Sequence, residues 1–350
     1  MMKTILQKKS ALCALIVLGV LLLLTLFAEF LSPYYFDAED RDNPYQPPTR
    51  LHFMDKDGNF HFIPFVYKYS NYLNDNYERI YVEDTSERFP IKIFHKGDKY
   101  MFWGLFEWDR HLFGVSEGAK IHLFGTDLRG RDLLSRIFMG ARISLSIGII
   151  GVFISMVFGT LIGGVAGYFG GRTDQVIMRL AELFMMIPTF YLLLAIRSSL
   201  PAHLTSFQVY FLVTCILSVI GWAGLARIIR GMVLSIKERD FVLAARLLGT
   251  SHLKVITRHI LPHTASYLLV VISVSIPGYI LAESALSFLG LGIQEPVVSW
   301  GMLLSEALSI TQLKFHAWVL IPGFFIFITI FSFNILGDAL RDVSDPLTHG

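Results

Sequence analysis

Ile143–Tyr168 reads ISLSIGIIGVFISMVFGTLIGGVAGY, twenty-six residues without one charge. A helix needs roughly 20 apolar residues to cross a hydrocarbon core of about 30 Å, so this run can span a bilayer. Outward from it, five more runs qualify: Ala11–Leu31, Val176–Ile196, Phe207–Ala226, Ser266–Gly290 and Ala317–Gly337. Together the six hold 134 of the 350 residues and only four charges, Glu29, Arg179, Glu182 and Glu283. The other 216 residues carry 54 charges, a quarter of them, which is ordinary for water-facing protein. The chain-wide 17% charge and mean hydropathy of +0.54 therefore average over two solvents. The chain reads as an all-α polytopic membrane protein with six transmembrane helices.

That composition excludes a disordered chain, a coiled coil and a plain soluble enzyme. A net charge of +2 is too weak a bias to call for nucleic acid. Cys13 and Cys215 both fall in apolar runs and share no metal-ligand spacing, so neither a disulfide framework nor a zinc site is expected. The first run follows Lys3, Lys8 and Lys9 but is long for a signal peptide, and Glu29–Pro33 offers no small-residue cleavage site; an uncleaved anchor is expected.

Basic residues in short loops set orientation. Arg172 and the segment Arg227–Arg258, with Arg227, Arg230, Lys237, Arg239, Arg246, Lys254 and Arg258, lie on the same side as the lysines of the N-terminus, whereas Arg197 and Lys314 are all the other short connections hold. Both termini are then cytoplasmic, in a multi-pass membrane protein. The expected organisation is 1–32 for the N-terminus and first helix, 33–121 for an external insertion, 122–346 for a five-helix core with a cytoplasmic loop at 227–263, and a tail at 347–350. The insertion reads as small and mixed or β: Phe53 and Phe60/Phe62 flank Asp55-Lys56-Asp57-Gly58, and Ile91/Ile93 and Tyr100/Phe102 flank Lys96-Gly97-Asp98, both hairpin-like turns. The first hints at a calcium loop, but no Glu closes a 12-residue ligand set, which leaves a plain turn.

Gly151, Ser155, Gly159, Gly163, Gly167 and Gly171 recur every fourth residue. Such a stripe lets another helix approach closely, where lipid supplies no hydrophobic drive for association; Gly159, Gly163 and Gly167 are its centre. The facing helix could belong to this chain or to a partner subunit. In the basic loop, Asp240 can cap a short helix with Phe241, Ala244, Ala245 and Leu248 on one face, and Gly249 can stop it. Ser251 can cap a second helix that Pro262 ends. A helix–turn–helix of this kind suits a groove on another protein, or equally a layer of lipid headgroups.

Ala244-Ala245-x-x-x-Gly249, followed by Leu261-Pro262, resembles the EAA loop of permease subunits in ABC-type importers, with Leu243 where a Glu often stands. In that family the loop is the coupling helix entering a cleft on the ATPase subunit, which implies coupling roles for Asp240, Ala244, Ala245, Gly249, Leu261 and Pro262. Two further stretches are similar to the dipeptide/oligopeptide/nickel permease group: Gly125-Thr126-Asp127-x-x-Gly130-Arg131-Asp132-x-x-Ser135-Arg136-x-x-x-Gly140-Ala141-Arg142-x-Ser144-Leu145, and Glu283-x-x-Leu286-Ser287-Phe288-Leu289-Gly290-Leu291-Gly292. The similarity covers about 1–33 and 122–346, leaving the insertion unmatched. It implies the type I ABC importer permease fold, a second homologous permease, two ABC ATPase subunits, an external solute-binding protein and short peptides as cargo, within the membrane lipid of a bacterial inner membrane.

From the residues alone, Thr126 or Asp127 can cap an interfacial helix whose Arg131, Asp132 and Arg136 pair at the membrane surface and fix the angle of the second run. Ionisable residues inside membrane runs are pathway candidates: Arg179 and Glu182, three apart, and Glu283. Pro188 and Pro277 interrupt their helices and free carbonyl groups. The sequence contains no phosphate loop, no Gly-x-Ser-x-Gly and no His-Glu-x-x-His; the chain is expected to be a transport subunit rather than an enzyme, with no cofactor and no metal, and His259/His263 are not read as a zinc pair because Pro262 breaks their spacing. The alternative is an ATP-independent secondary transporter or channel, for which Arg179/Glu182 is the candidate ion-carrying pair.

Overall fold

The computed structural model describes residues 8–75, 78–199, 201 and 204–344; Lys3, the Arg197 side chain and the 347–350 tail lie outside what is described. Among the described residues five helices are long and apolar enough to cross a membrane, and a bent pair, taken as one broken span, makes a sixth. In chain order they are α1 (Lys9–Leu26), with a short continuation α2 (Ala28–Leu31), and α3 (Leu133–Phe169). The bent pair is α4 (Gly171–Met186) and α5 (Thr189–Ser199), and α6 (Ser206–Ile236) follows. After the connecting helices α7 (Asp240–Leu247) and α8 (His252–Lys254) comes α9 (Ala265–Phe288). Two short helices, α10 (Trp300–Leu304) and α11 (Ile310–Phe315), precede the last span, α12 (Ile321–Ser344).

Three spans depart from the straight runs read in the sequence. The third is broken: α4 and α5 meet at 77°. Ile187 is extended at ψ 118° because the ring of Pro188 disfavours helical geometry in the residue before it. The fifth is longer than its apolar run. Its helix starts at His252 and reaches Phe288 through a π-turn at Val255–Ile260 and a 3₁₀ turn at Leu261–Thr264. Pro262 therefore does not end the loop's second helix; the changes of pitch absorb its missing N–H. Pro277 sits inside α9 without stopping it. The second span has no separate interfacial helix before it, since α3 runs unbroken for 37 residues, about 55 Å at 1.5 Å per residue.

The chain divides into two compact units. The first comprises residues 8–19, 144–293 and 326–344 of those described. Its core joins Tyr168, Ile229, Val233, Val242, Val255 and Ile260. Serines and a tyrosine stitch its helices: Ser155 Oγ donates to the Ser218 carbonyl at 2.8 Å, and Tyr279 Oη to that of Leu217 at 3.2 Å. Lys8 and Asp342 form an ion pair at 2.6 Å, and Ala11 packs on Ala339 just beside it.

The second unit, residues 20–143 and 294–325, contains the β insertion. Strands β1 (His52–Met54), β2 (Phe60–Leu73) and β3 (Arg79–Pro90) form an antiparallel meander, and β4 (Lys92–Phe102) and β5 (Phe106–Gly114) a separate hairpin. Val66, Phe89, Val115 and Ile121 form a small core beneath them. The Asp55–Gly58 turn joins β1 to β2, with Asp55 Oδ1 accepting from the Asp57 and Asn59 amides. The Lys96–Asp98 turn does not occur. That stretch is a bulge within β4, and the chain reverses at Trp103–Leu105. A side chain at Gly97 would come within 2.8 Å of the His111 ring, so the glycine serves close packing rather than reversal.

Candidate functional site

The basic loop is built on the core of the first unit. In α7 the buried seam is Val242 and Ala245, three apart. The face read from the sequence is thereby split: Ala245 points in, while Phe241, Ala244 and Leu248 are exposed. Leu247 and Leu248 are 89% and 85% exposed, with Leu243 beside them. Asp240 is the first helical residue rather than the cap, which is Arg239 with no side-chain bond; its carboxylate still sits at the positive end of the helix dipole. Gly249 takes φ +74°. Its N–H donates to the Arg246 carbonyl at 3.0 Å, and that of Thr250 to Ala245 at 3.2 Å, the paired bonds of a Schellman stop. Ser251 precedes α8 in extended geometry but makes no capping bond. Leu261 is half-buried and Pro262 exposed.

Contacts that sequence reading missed tie this loop to the spans. Tyr168 at the end of α3 hydrogen-bonds His252 at 2.8 Å, and the Arg246 guanidinium lies 5.8 Å from the Tyr168 ring centroid. Arg230 of α6 pairs with Asp174 of α4. Lys237 Nζ donates to the Gly167 carbonyl at 3.2 Å, satisfying one of the last acceptors of α3.

The glycine stripe faces α6 of the same chain. A Cβ on Gly159 would lie 2.9 Å from the Trp222 carbonyl oxygen, on Gly163 2.5 Å from that of Ala226, and on Gly167 2.7 Å from that of Arg230. Backbone meets backbone along three turns.

The ionisable candidates separate into two places. Arg179 and Glu182 pair at 3.0 Å on the open surface of α4, where Glu182 also meets Arg227 at 3.3 Å; they line a cleft of about 800 Å³ with Asp174 and Arg230. Glu283 is fully buried. It accepts from Ser287 Oγ at 2.7 Å and from Ser144 and Ser284 at 3.4 Å. None of the three lines the cavity of about 390 Å³ between spans, whose polar lining includes Ser155, Thr189, Ser275 and Tyr279.

The Gly125–Leu145 motif is not a set of surface pairs. Arg131 and Arg136 are buried. Asp127 turns the chain by accepting from the Arg129 and Arg131 amides at 2.8 and 3.0 Å, while Asp132 caps α3 through the Ser135 amide at 2.8 Å. Asp127 Oδ2 pairs with Arg131 at 2.8 Å and Arg136 at 2.9 Å. Glu295 closes the network on Arg131 at 2.6 Å, Arg136 at 3.3 Å and Arg129 at 3.0 Å, and Asp37 meets Arg131 at 3.0 Å. Burial pushes the Glu295 carboxyl up, but Arg131, Arg136 and Arg129 outweigh it and hold it below the ordinary Glu range. Glu306 goes the other way. Burial first, then the nearby Asp127, pushes it up to about 7, against the opposing pull of Arg136, Arg131 and the Tyr45 hydroxyl.

Comparison with known proteins bears on this arrangement. The family of binding-protein-dependent transport system inner membrane components matches residues 159–350, and the N-terminal transmembrane domain of oligopeptide transport permease C matches residues 1–48. The chain belongs to this permease family. Over 226 residues it is 45% identical to the oligopeptide transport system permease protein OppC of Haemophilus influenzae, spanning 64% of this chain and 70% of that protein. It is 42% identical to the dipeptide permease DppC of Bacillus subtilis, over 64% and 68% of the two chains. It is 36% identical to the glutathione permease GsiD of Pectobacterium atrosepticum, over 69% and 77%. The permease is thus a multi-pass inner-membrane subunit of an ABC-type importer, part of a translocation path coupled to ATPase subunits.

Proposed function

We propose that this permease is one half of the membrane domain of an ATP-driven importer of short peptides. It pairs with a second homologous permease, works with two cytoplasmic ATPase subunits to which it couples through the Asp240–Pro262 loop, and receives cargo from a solute-binding protein on the opposite, external side. In this reading 1–32 and the 122–346 core cross the membrane, 33–121 lies outside, and both termini are cytoplasmic. The Lys8–Asp342 ion pair supports a common side for the termini, and the names of the relatives support peptide cargo.

The observation that carries the coupling assignment is α7: a helix pinned by Val242 and Ala245, with Leu247 and Leu248 exposed beside a glycine stop. Val242 shares a core with Tyr168, Ile229 and Val233, so a displacement of α7 is passed to α3 and α6 by packing. ATP binds the closed ATPase pair more tightly than the open one, and only such a difference can shift the equilibrium between outward and inward states. Glu283, Arg179 and Glu182 remain pathway candidates within this proposal. Leu248→Asp, which alters an exposed side chain, and Gly249→Val, which strains a positive φ, should each leave the protein in the membrane. Both should lower ATPase recovery in mild detergent and peptide uptake in vesicles about tenfold, the equivalent of ~1.4 kcal/mol of docking. Unimpaired uptake with full ATPase recovery in both variants would overturn the assignment.

A further inference from the structure

The β4–β5 hairpin is fastened to the end of the first span rather than held out in water. The Trp103 indole N–H donates to the Leu26 carbonyl of α1 at 2.8 Å. Phe102 packs on Phe27 with centroids 6.2 Å apart, and Trp108 stacks on Phe30 at 5.8 Å. Arg142 is clamped between the Glu29 carboxylate and the Thr25 carbonyl, and its guanidinium lies 4.2 Å from the Trp103 ring centroid. Further along the hairpin, the two ring nitrogens of His111 face the carbonyls of Ser32 and Asp98. The reversal Met101–Phe106 thus sits level with the last turn of a membrane helix.

What that tip presents is apolar. Met101, Trp103, Leu105 and Phe106 are all exposed, Leu105 at 78%, and no charge falls between Met101 and Phe106. The charges begin immediately behind it, with Lys99 paired to Glu107 at 2.6 Å and Lys96 to Asp109 at 3.4 Å. Leu22, Leu23, Leu26 and Phe27 of the first span are exposed too, so the apolar surface of the tip continues the lipid-facing surface of the helix. Trp at the level of a helix end, with apolar residues on the bilayer side and charges on the water side, is the arrangement that settles at a membrane–water interface.

We propose that the β4–β5 tip is a second membrane contact of this chain, inserting Trp103, Leu105 and Phe106 into the headgroup–acyl boundary of the leaflet where α1 emerges. The occupant of this apolar surface is lipid, because the surface is continuous with that of a spanning helix. The anchor fixes the insertion to the bilayer plane independently of any partner protein, and it stands whether or not the cargo is a peptide.

The test uses the full chain in lipid nanodiscs, with Cys13 and Cys215 replaced by Ala and one nitroxide label introduced through Leu105→Cys, Met101→Cys or, as a water-facing control, the exposed Ser86→Cys. Collision with dissolved oxygen, which concentrates in lipid, is compared with collision with a water-soluble nickel chelate. Labels at 105 and 101 should collide severalfold more with oxygen than with the chelate, and the label at 86 should show the reverse. Chelate access at 105 and 101 equal to that at 86 would place the tip in water and overturn the proposal. Shielding from both reagents would equally overturn it, in favour of a protein contact.

Discussion

Arg131 and Arg136 show what a buried charge demands. Both pair with Asp127 from one end of the second unit and Glu295 from the other, and Arg131 meets Asp37 as well. Removing one member of such a set leaves an uncompensated buried charge, which costs far more than losing an exposed pair. The two arginines and Asp127 were legible as motif residues. Glu295 was not, because some 160 positions separate it from its partners and nothing local marks it. Glu306 is the member that titrates. Its carboxyl reverts to an ordinary value near 4.5 on unfolding and sits at about 7 when folded, so the folded protein binds the extra proton between those limits. Stability contributed at this site is therefore present at low pH and falls as pH rises through that window. Thermal unfolding in detergent should show a loss on the order of 1–3 kcal/mol between pH 5 and 8. Glu306→Gln should flatten it, since the low-pKa Glu295 stays ionised throughout. An unchanged pH profile in that variant would remove Glu306 as the source.

At the scale of elements, the glycine stripe of α3 could be read from spacing alone, but the helix it meets could not. Spacing describes one surface, and α6 is identified only by the carbonyl oxygens lying under Gly159, Gly163 and Gly167. Overpacking of this kind costs typically about 1–3 kcal/mol. Gly163→Ala should accordingly lower the melting temperature of the purified protein by several degrees, whereas Gly224→Ala on α6, with no atom within 4 Å of the added methyl, should not. Equal melting temperatures would show that the helices separate cheaply. The break at Pro188 and the continuous fifth helix through Pro262 mark the limit of reading proline. Both prolines are exposed, and what differs is whether neighbouring changes of pitch can take up the lost hydrogen bond. The misread turn at Lys96–Asp98 has the same origin, because a glycine needed for ring packing looks in sequence like a glycine needed for reversal.

For the whole molecule, hydropathy revealed the number of spans and the place of the insertion, since each span must satisfy its own backbone in lipid. How the first and last spans meet was invisible to it. Ala11 lies on Ala339 and Lys8 on Asp342, so the seat of α1 is completed by residues more than 320 positions downstream. Synthesis runs in one direction, and the N-terminal end of α1 enters the bilayer first but finds its neighbour last. Trp103 and Arg142 can take up the far end of the helix early, but the Lys8–Ala11 end stays without its partners until the ribosome has delivered α12. A chain stopped after Leu320 should therefore be inserted and protease-resistant in its spans, yet with an N-terminal segment that crosslinks poorly to the rest; crosslinking at full-length levels would show that α1 docks early. The order of translation is thus written into the architecture, and a late nonsense mutation would strand the end of the helix that was made first.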